Sequence, residues 1–208
     1  MADETAREEK WLQALVTTFE GIRDELEEKG EIDLENYVDA LVKIIEVFDF
    51  LGSVFKFAKS DLVDKTGHLK RCCSERGATS VKSAIESDHA AGRALAGTSV
   101  SRPLHRVTNS LKFLNLLLRD MLREDNRDDH LRVSARRAFK GSVEYYLPWA
   151  VKKAVEAGLY LLPSRTNFLK RIGETEDSAR DPAQRLVQVT DPILDRVYGV
   201  YKTLGIDL

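Results

Sequence analysis

Two pairs of side chains in this sequence have the types and spacing to do chemistry. Arg102 and Arg106 open an otherwise apolar helical stretch, SRPLHRVTNSLKFLNLLLRDML, and Asp61 and Lys65 interrupt the apolar stripe of an earlier one. Residues four apart share a helical face, so each pair puts two polar groups at one place on a surface that should be buried. Two arginines with no acid at the neighbouring helical positions can converge their planar donor forks on a doubly charged oxyanion. Phosphate fits such a pair better than a neutral sugar. Phe55, Ala58, Leu62, Lys65 and Leu69 keep i, i+3, i+4 spacing, which places Lys65 inside the apolar stripe with Asp61 one turn before it. Taken alone, that pair also fits a lysine snorkelling at the edge of a core beside an acid. Taken with the arginines, it points to an anion site next to something greasy.

Other reactive residue types give less. His68, His89, His105 and His130 read as surface or partly buried rings rather than ligands. Cys72 and Cys73 are adjacent, so they point in different directions on a helix and form neither a disulfide framework nor a CxxC site; they read as reduced thiols. There is no HExxH, nucleophile elbow, P-loop or Cys/His metal spacing, so no catalytic residue, metal or cofactor is expected and a binding protein is the better class.

The elements that must position these residues are helical. Almost every segment has a 3.6-residue period, none alternates over a sustained run, and the glycines and prolines fall mainly between periodic stretches. The expected fold class is all-α. A first helix is expected over residues 4–28, with Trp11, Leu15, Phe19, Ile22 and Leu26 on one stripe and Gly30 closing it. Asp33 reads as the N-cap of a second, carrying Tyr37, Leu41, Ile44, Ile45 and Phe48. A bend at LGS (51–53) precedes a third helix, which bears Asp61 and Lys65 and reaches the cysteine pair. Gly77 separates it from a polar helix over residues 80–91. The arginines ride on a long helix over residues 100–122. Its Val107, Leu111, Leu114, Leu118 and Met121 make a core face, and Arg102 and Arg106 extend a flanking stripe through Asn109 and Phe113. The charged REDNRDD that follows reads as a solvated loop. A helix over 130–146 comes next, then one with Pro148 in its first turn running to residue 160. A short capped helix in LLPSRTNFLKRIG and a last one starting at Asp181-Pro182 complete the chain.

The 208 residues are 43% hydrophobic with 32 basic against 34 acidic side chains, the composition of one globular domain over residues 1–208 with a sizeable core. A net charge of -2 argues against nucleic acid as a partner, so any basic site is local. The acidic start, MADETAREEKWLQ, lacks an apolar leader region, and no apolar run approaches the roughly 18 residues that span a bilayer. A cytoplasmic monomer is expected.

DxxxK within KFAKSDLVDK, RxxxRV followed by LKFL, the tryptophan of YYLPWAVKKAV, the LLPSR segment and the closing LGIDL occur in that order. Together they resemble the glycolipid transfer protein family, over nearly the whole chain from residue 32 onward. Within it they resemble the ceramide-1-phosphate transfer branch, which includes the plant accelerated-cell-death proteins. The neutral-glycolipid branch has a tryptophan where this chain has Arg106 and an asparagine where it has Lys65. Cations at both positions suit phosphate and not an uncharged hexose.

The resemblance implies an all-helical two-layer fold with an apolar pocket between the layers for the lipid chains. It implies that Lys65, Arg102 and Arg106 bind the phosphate and that Asp61 accepts from the ceramide amide N–H. Trp149, Lys152 and Lys153 resemble the family's membrane-contacting region, so transient, peripheral membrane contact is expected; a core tryptophan with ordinary solvated lysines is the plainer alternative. One position departs from the pattern. Where the family has a histidine that bonds the amide carbonyl, this chain has Leu147, so either Tyr145 or Tyr146 substitutes or amide recognition is weaker. The function implied is transfer of a phosphorylated sphingolipid, ceramide-1-phosphate above all, between membranes. A lipid-sensing adaptor that binds a protein partner and moves little lipid is the alternative, and a helical scaffold with no lipid is a third.

Overall fold

A computed structural model describes residues 10–76, 79–123 and 130–208. Among these the regular structure is α-helical apart from isolated bridges and short 3-10 turns, as the periodicity predicts. The expected start of the first helix near residue 4, the Gly77 break and most of the charged REDNRDD segment lie outside the described residues.

Helix α1 (Trp11–Lys29) buries Leu12, Leu15, Val16, Phe19 and Ile22. It stops at Gly30, whose φ of 70° is left-handed and whose N–H bonds Leu26 O at 2.9 Å, the closure that glycine permits without strain. Asp33 caps α2 (Leu34–Ile44) by accepting from Asn36 N at 2.8 Å. The second helix does not run on through Phe48. It breaks after Ile44 and restarts as α3 (Val47–Leu51), and Gly52 at φ 116° turns the chain through a 3-10 turn at 53–55 into α4 (Lys56–Arg76). A reciprocal Ser80 and Ser83 capping box starts α5 (Val81–Ala90).

Helix α6 (Ser101–Met121) is the centre of the fold, packed against α2, α4, α7 and α10. Its apolar face is where the periodicity predicts, but the polar stripe is buried too: Thr108 and Asn109 have no exposed surface. Helix α7 (Leu131–Ser142) ends earlier than residue 146, and residues 144–146 form a 3-10 turn instead. Pro148 restricts Leu147 to extended backbone (φ -81°, ψ 142°), which leaves no helical path into the next element. Pro148 stands just outside α8 (Trp149–Gly158) as its N-cap rather than in its first turn. Ser164 caps α9 (Arg165–Arg171) by accepting from Asn167 N at 3.2 Å.

The last helix corrects the sequence reading most. Helix α10 (Glu176–Thr203) begins before Asp181-Pro182 and carries both Pro182 and Pro192 inside it. Thr175 and Ser178 cap it reciprocally, and Glu176 and Asp177 complement the positive end of the helix dipole. The core is one cluster running from Leu12 on α1 to Tyr201 on α10.

Candidate functional site

Helices α4, α6, α7 and α8 enclose a cavity of about 810 Å³. Its apolar walls come from Phe55 and Leu62, from Phe113 on α6, from Phe139 on α7, and from Val151 and Val155 on α8. Gly158 lets the end of α8 lie close to the 3-10 turn before α4, where an added Cβ would come within 3.2 Å of Val54 Cγ2.

Asp61, Lys65, Arg102 and Arg106 all line this one cavity, so the two i, i+4 pairs on separate helices do meet. Lys65 Nζ donates to Asp61 Oδ1, an ion pair in which the acid is mostly exposed and the lysine mostly covered. Arg102 donates from Nη1 to Leu95 O at 3.3 Å. Arg106 is different. Its Nη1 is buried and has no hydrogen-bond partner among the described residues, and no acid pairs with it there. Burial lowers its pKa, and the like charge of Arg102 adds to the effect. The guanidinium instead lies over the ring of Tyr146, 3.5 Å from its centroid. An arginine with a buried, unused donor beside an apolar cavity is poised for an anionic ligand.

The backbone that presents Arg102 and Arg106 is anchored by Asp88, which the sequence reading passed over. Its Oδ2 accepts from Val100 N at 2.6 Å, Ser101 N at 2.9 Å and Ser101 Oγ at 3.1 Å, and its Oδ1 accepts from Arg93 Nε at 2.6 Å. Burial opposes its ionisation, yet the Arg93 guanidinium and the Ser101 and Val100 donors outweigh it and hold the pKa below the ordinary carboxylate value. No local motif announces this cap, because Asp88 lies on α5, twelve residues before the first N–H it caps.

Tyr146 and Leu147 line the cavity, and Tyr145 does not. The Tyr145 hydroxyl belongs to a polar cluster with His105 and Asn109 of α6. Asn109 Nδ2 donates to it at 3.2 Å and to His105 Nδ1 at 3.3 Å, Asn109 Oδ1 accepts from the Tyr198 hydroxyl at 2.7 Å, and His105 Nε2 lies 3.2 Å from Tyr145 Oη. His105 is buried, not a surface ring; burial and the nearby Arg106 charge push its pKa down to about 4, so the ring is neutral. Since Nδ1 accepts, Nε2 carries the hydrogen and donates to Tyr145. The tyrosine oxygen thus accepts twice, and neither bond uses its own proton.

The remaining candidates fall elsewhere. Trp149 is 74% exposed at the start of α8, which removes the core reading; Lys152 is half-buried, and Lys153 donates to Glu156 Oε2 at 2.8 Å. Tyr160 and Leu161, just past the other end of the helix, are also exposed. His68 lines the cavity and bonds Ser99 O at 3.0 Å, while His89 and His130 are exposed. Cys72 and Cys73 form no disulfide among the described residues, the first being buried with its Sγ 3.5 Å from His68 Nε2, and Trp11 packs edge-on against Phe50. No described helix is long and apolar enough to cross a membrane.

Comparison with known proteins agrees with this fold. The family model "Glycolipid transfer protein (GLTP)" matches residues 32–174. The chain is 30% identical over 204 residues to a ceramide-1-phosphate transfer protein of Danio rerio, covering 93% of this chain and 92% of that one. It is 28% identical over 185 residues to an ACD11 homolog protein of Arabidopsis thaliana, covering 89% and 79%. Among solved structures, a point mutant of Arabidopsis ACD11 (accelerated-cell-death 11) complexed with C12 ceramide-1-phosphate superposes with a TM-score of 0.87 at 25% identity, covering 96% of this chain and all of that one. The chain belongs to the glycolipid transfer protein family.

Proposed function

We propose that this protein binds a phosphorylated sphingolipid, ceramide-1-phosphate foremost, and moves it between membranes as a cytoplasmic, monomeric, non-catalytic carrier formed by residues 1–208. The observation that carries the reading is Arg106: a buried Nη1 without a partner, at a cavity of about 810 Å³ that Lys65 and Arg102 also line. Relatives whose names and structures concern ceramide-1-phosphate support the choice of lipid. The acyl and sphingoid chains occupy the apolar cavity, where each methylene removed from water contributes about 0.8 kcal/mol. Lys65, Arg102 and Arg106 take the phosphate, and Asp61 accepts from the amide N–H. Leu147 offers no donor to the amide carbonyl, so recognition of the amide is weaker than the family's histidine would give and rests on Asp61. Trp149, Lys152 and Lys153 meet the membrane.

The test is transfer of fluorescent ceramide-1-phosphate between vesicles. The native chain transfers it, and Arg106→Leu reduces transfer at least tenfold, since the loss of a charge-assisted bond is worth roughly 1.5–3 kcal/mol. Equal rates for the two proteins, or lipid binding without transfer, would overturn the carrier reading.

A further inference from the structure

Arg106 is held by a ring rather than by an acid. A guanidinium that must meet a ligand needs something to fix its plane without consuming its N–H donors. A carboxylate partner would fix it but would also neutralise it and occupy one donor edge. The face of Tyr146 does neither: it lies 3.5 Å below the guanidinium carbon, attracts the cation through its quadrupole, and takes no N–H.

The ring is itself held from behind. Tyr145 meets Tyr146 edge-on, with centroids 5.1 Å apart and planes at 88°. Tyr145 is in turn tied to α6 through Asn109 and His105, and Asn109 is tied to α10 through Tyr198. His105 is further enclosed by the edges of Tyr198 and Tyr201. The position of the Tyr146 ring is therefore supported by part-buried polar contacts to two long helices, made through a half-exposed Tyr145, although it sits on a short 3-10 turn.

We propose that Tyr146 is a specificity-determining residue, an aromatic floor that fixes the plane of Arg106 and keeps its donor edge open to a phosphate, with Tyr145 as its positioning residue. This rests on the phosphate-lipid reading of the cavity and adds a distinct claim: discrimination between phosphorylated and unphosphorylated lipid depends on the face of Tyr146, while retention of the lipid chains does not.

Equilibrium binding of C12 ceramide-1-phosphate and of the same ceramide without phosphate tests it on the full chain. Tyr146→Leu should weaken the phosphorylated lipid about tenfold, the order expected for losing a desolvated cation–π contact, and leave the unphosphorylated one unchanged. Tyr146→Met, a flexible apolar side chain, should do the same and serves if the leucine variant does not fold. Tyr146→Phe keeps the face and should bind both lipids as the native chain does. Tyr145→Phe should cost a few-fold for the phosphorylated lipid only. Native affinity in both Tyr146→Leu and Tyr146→Met, equal loss in Tyr146→Phe, or parallel loss of both lipids would each overturn the proposal. Failure of the underlying reading looks different: the native chain itself would not prefer the phosphorylated lipid, and Arg106→Leu would change nothing.

Discussion

Leu147 and His105 separate two kinds of evidence at the scale of single residues. Leu147 is visible in the sequence as a leucine where the family has a histidine, and the structure places it on the cavity wall. Leu147→His should therefore put an imidazole where an amide carbonyl can use it, raising ceramide-1-phosphate affinity several-fold, about the worth of one hydrogen bond; titration calorimetry with a short-chain lipid reads this, and unchanged affinity would mean that position 147 does not limit recognition. His105 could not be read in the same way. Its partners Tyr145 and Tyr198 come from distant segments, and helical spacing is silent on contacts between elements. Its folded pKa of about 4 lies below the ordinary value near 6.5. The unfolded chain then binds more protons than the folded one between these values, so stability is complete above about pH 6.5 and falls as pH drops towards 4, by up to about 3 kcal/mol. Chemical denaturation across that window should show the slope, and His105→Gln should remove most of it.

At the scale of elements, the ionic pairs were legible because each is local: DxxxK and RxxxR declare a shared face whatever the tertiary structure. The first turn of α6, which aims the arginines, was not, because its Val100 and Ser101 N–H groups are capped by the carboxylate of Asp88 on α5, beside the local Ser99 Oγ that accepts from Arg102 N at 3.1 Å. Asp88→Ala would strip acceptors from two buried N–H groups and leave Arg93 without its partner. A loss of about 3 kcal/mol is expected, seen as a melting temperature lowered by roughly 10 °C in a chain of this size, together with weaker phosphate binding as Arg102 loses its fixed backbone. A melting temperature within a degree or two of the native one would show that α6 holds its first turn without the cap. The start of α10 was missed for another reason. Proline usually marks a first turn, so Pro182 drew the boundary to itself. The true box, Thr175 with Ser178, has serine where Glu or Gln is the familiar partner, and tertiary packing of Ala179 and Ala183 carries the helix through a proline that would break an isolated one.

At the scale of the whole molecule, α8 is a lightly buried wall of the cavity: only Val155 and Gly158 are buried along it, while Val151 and Val155 line the cavity. Its outer side begins with Trp149, the most exposed large apolar side chain described, and Tyr160 and Leu161 stand just beyond its other end. The sequence left membrane contact and core packing open for Trp149 because a tryptophan beside two lysines fits both; exposure decides against the core. The membrane contact proposed above would use this side of α8, since an exposed aromatic ring is at home in the headgroup region of a bilayer. Trp149→Ala separates docking from binding. Burying a large apolar side chain contributes about 1.5–3 kcal/mol, so vesicle association and transfer rate should each fall by at least about tenfold. The equilibrium affinity for ceramide-1-phosphate delivered from detergent should not change, because Trp149 lies outside the cavity lining. If both quantities fell together, the indole would be shaping the cavity rather than meeting the membrane. If neither fell, docking would have to lie elsewhere, with exposed Phe57, which also lines the cavity, as the next residue to substitute.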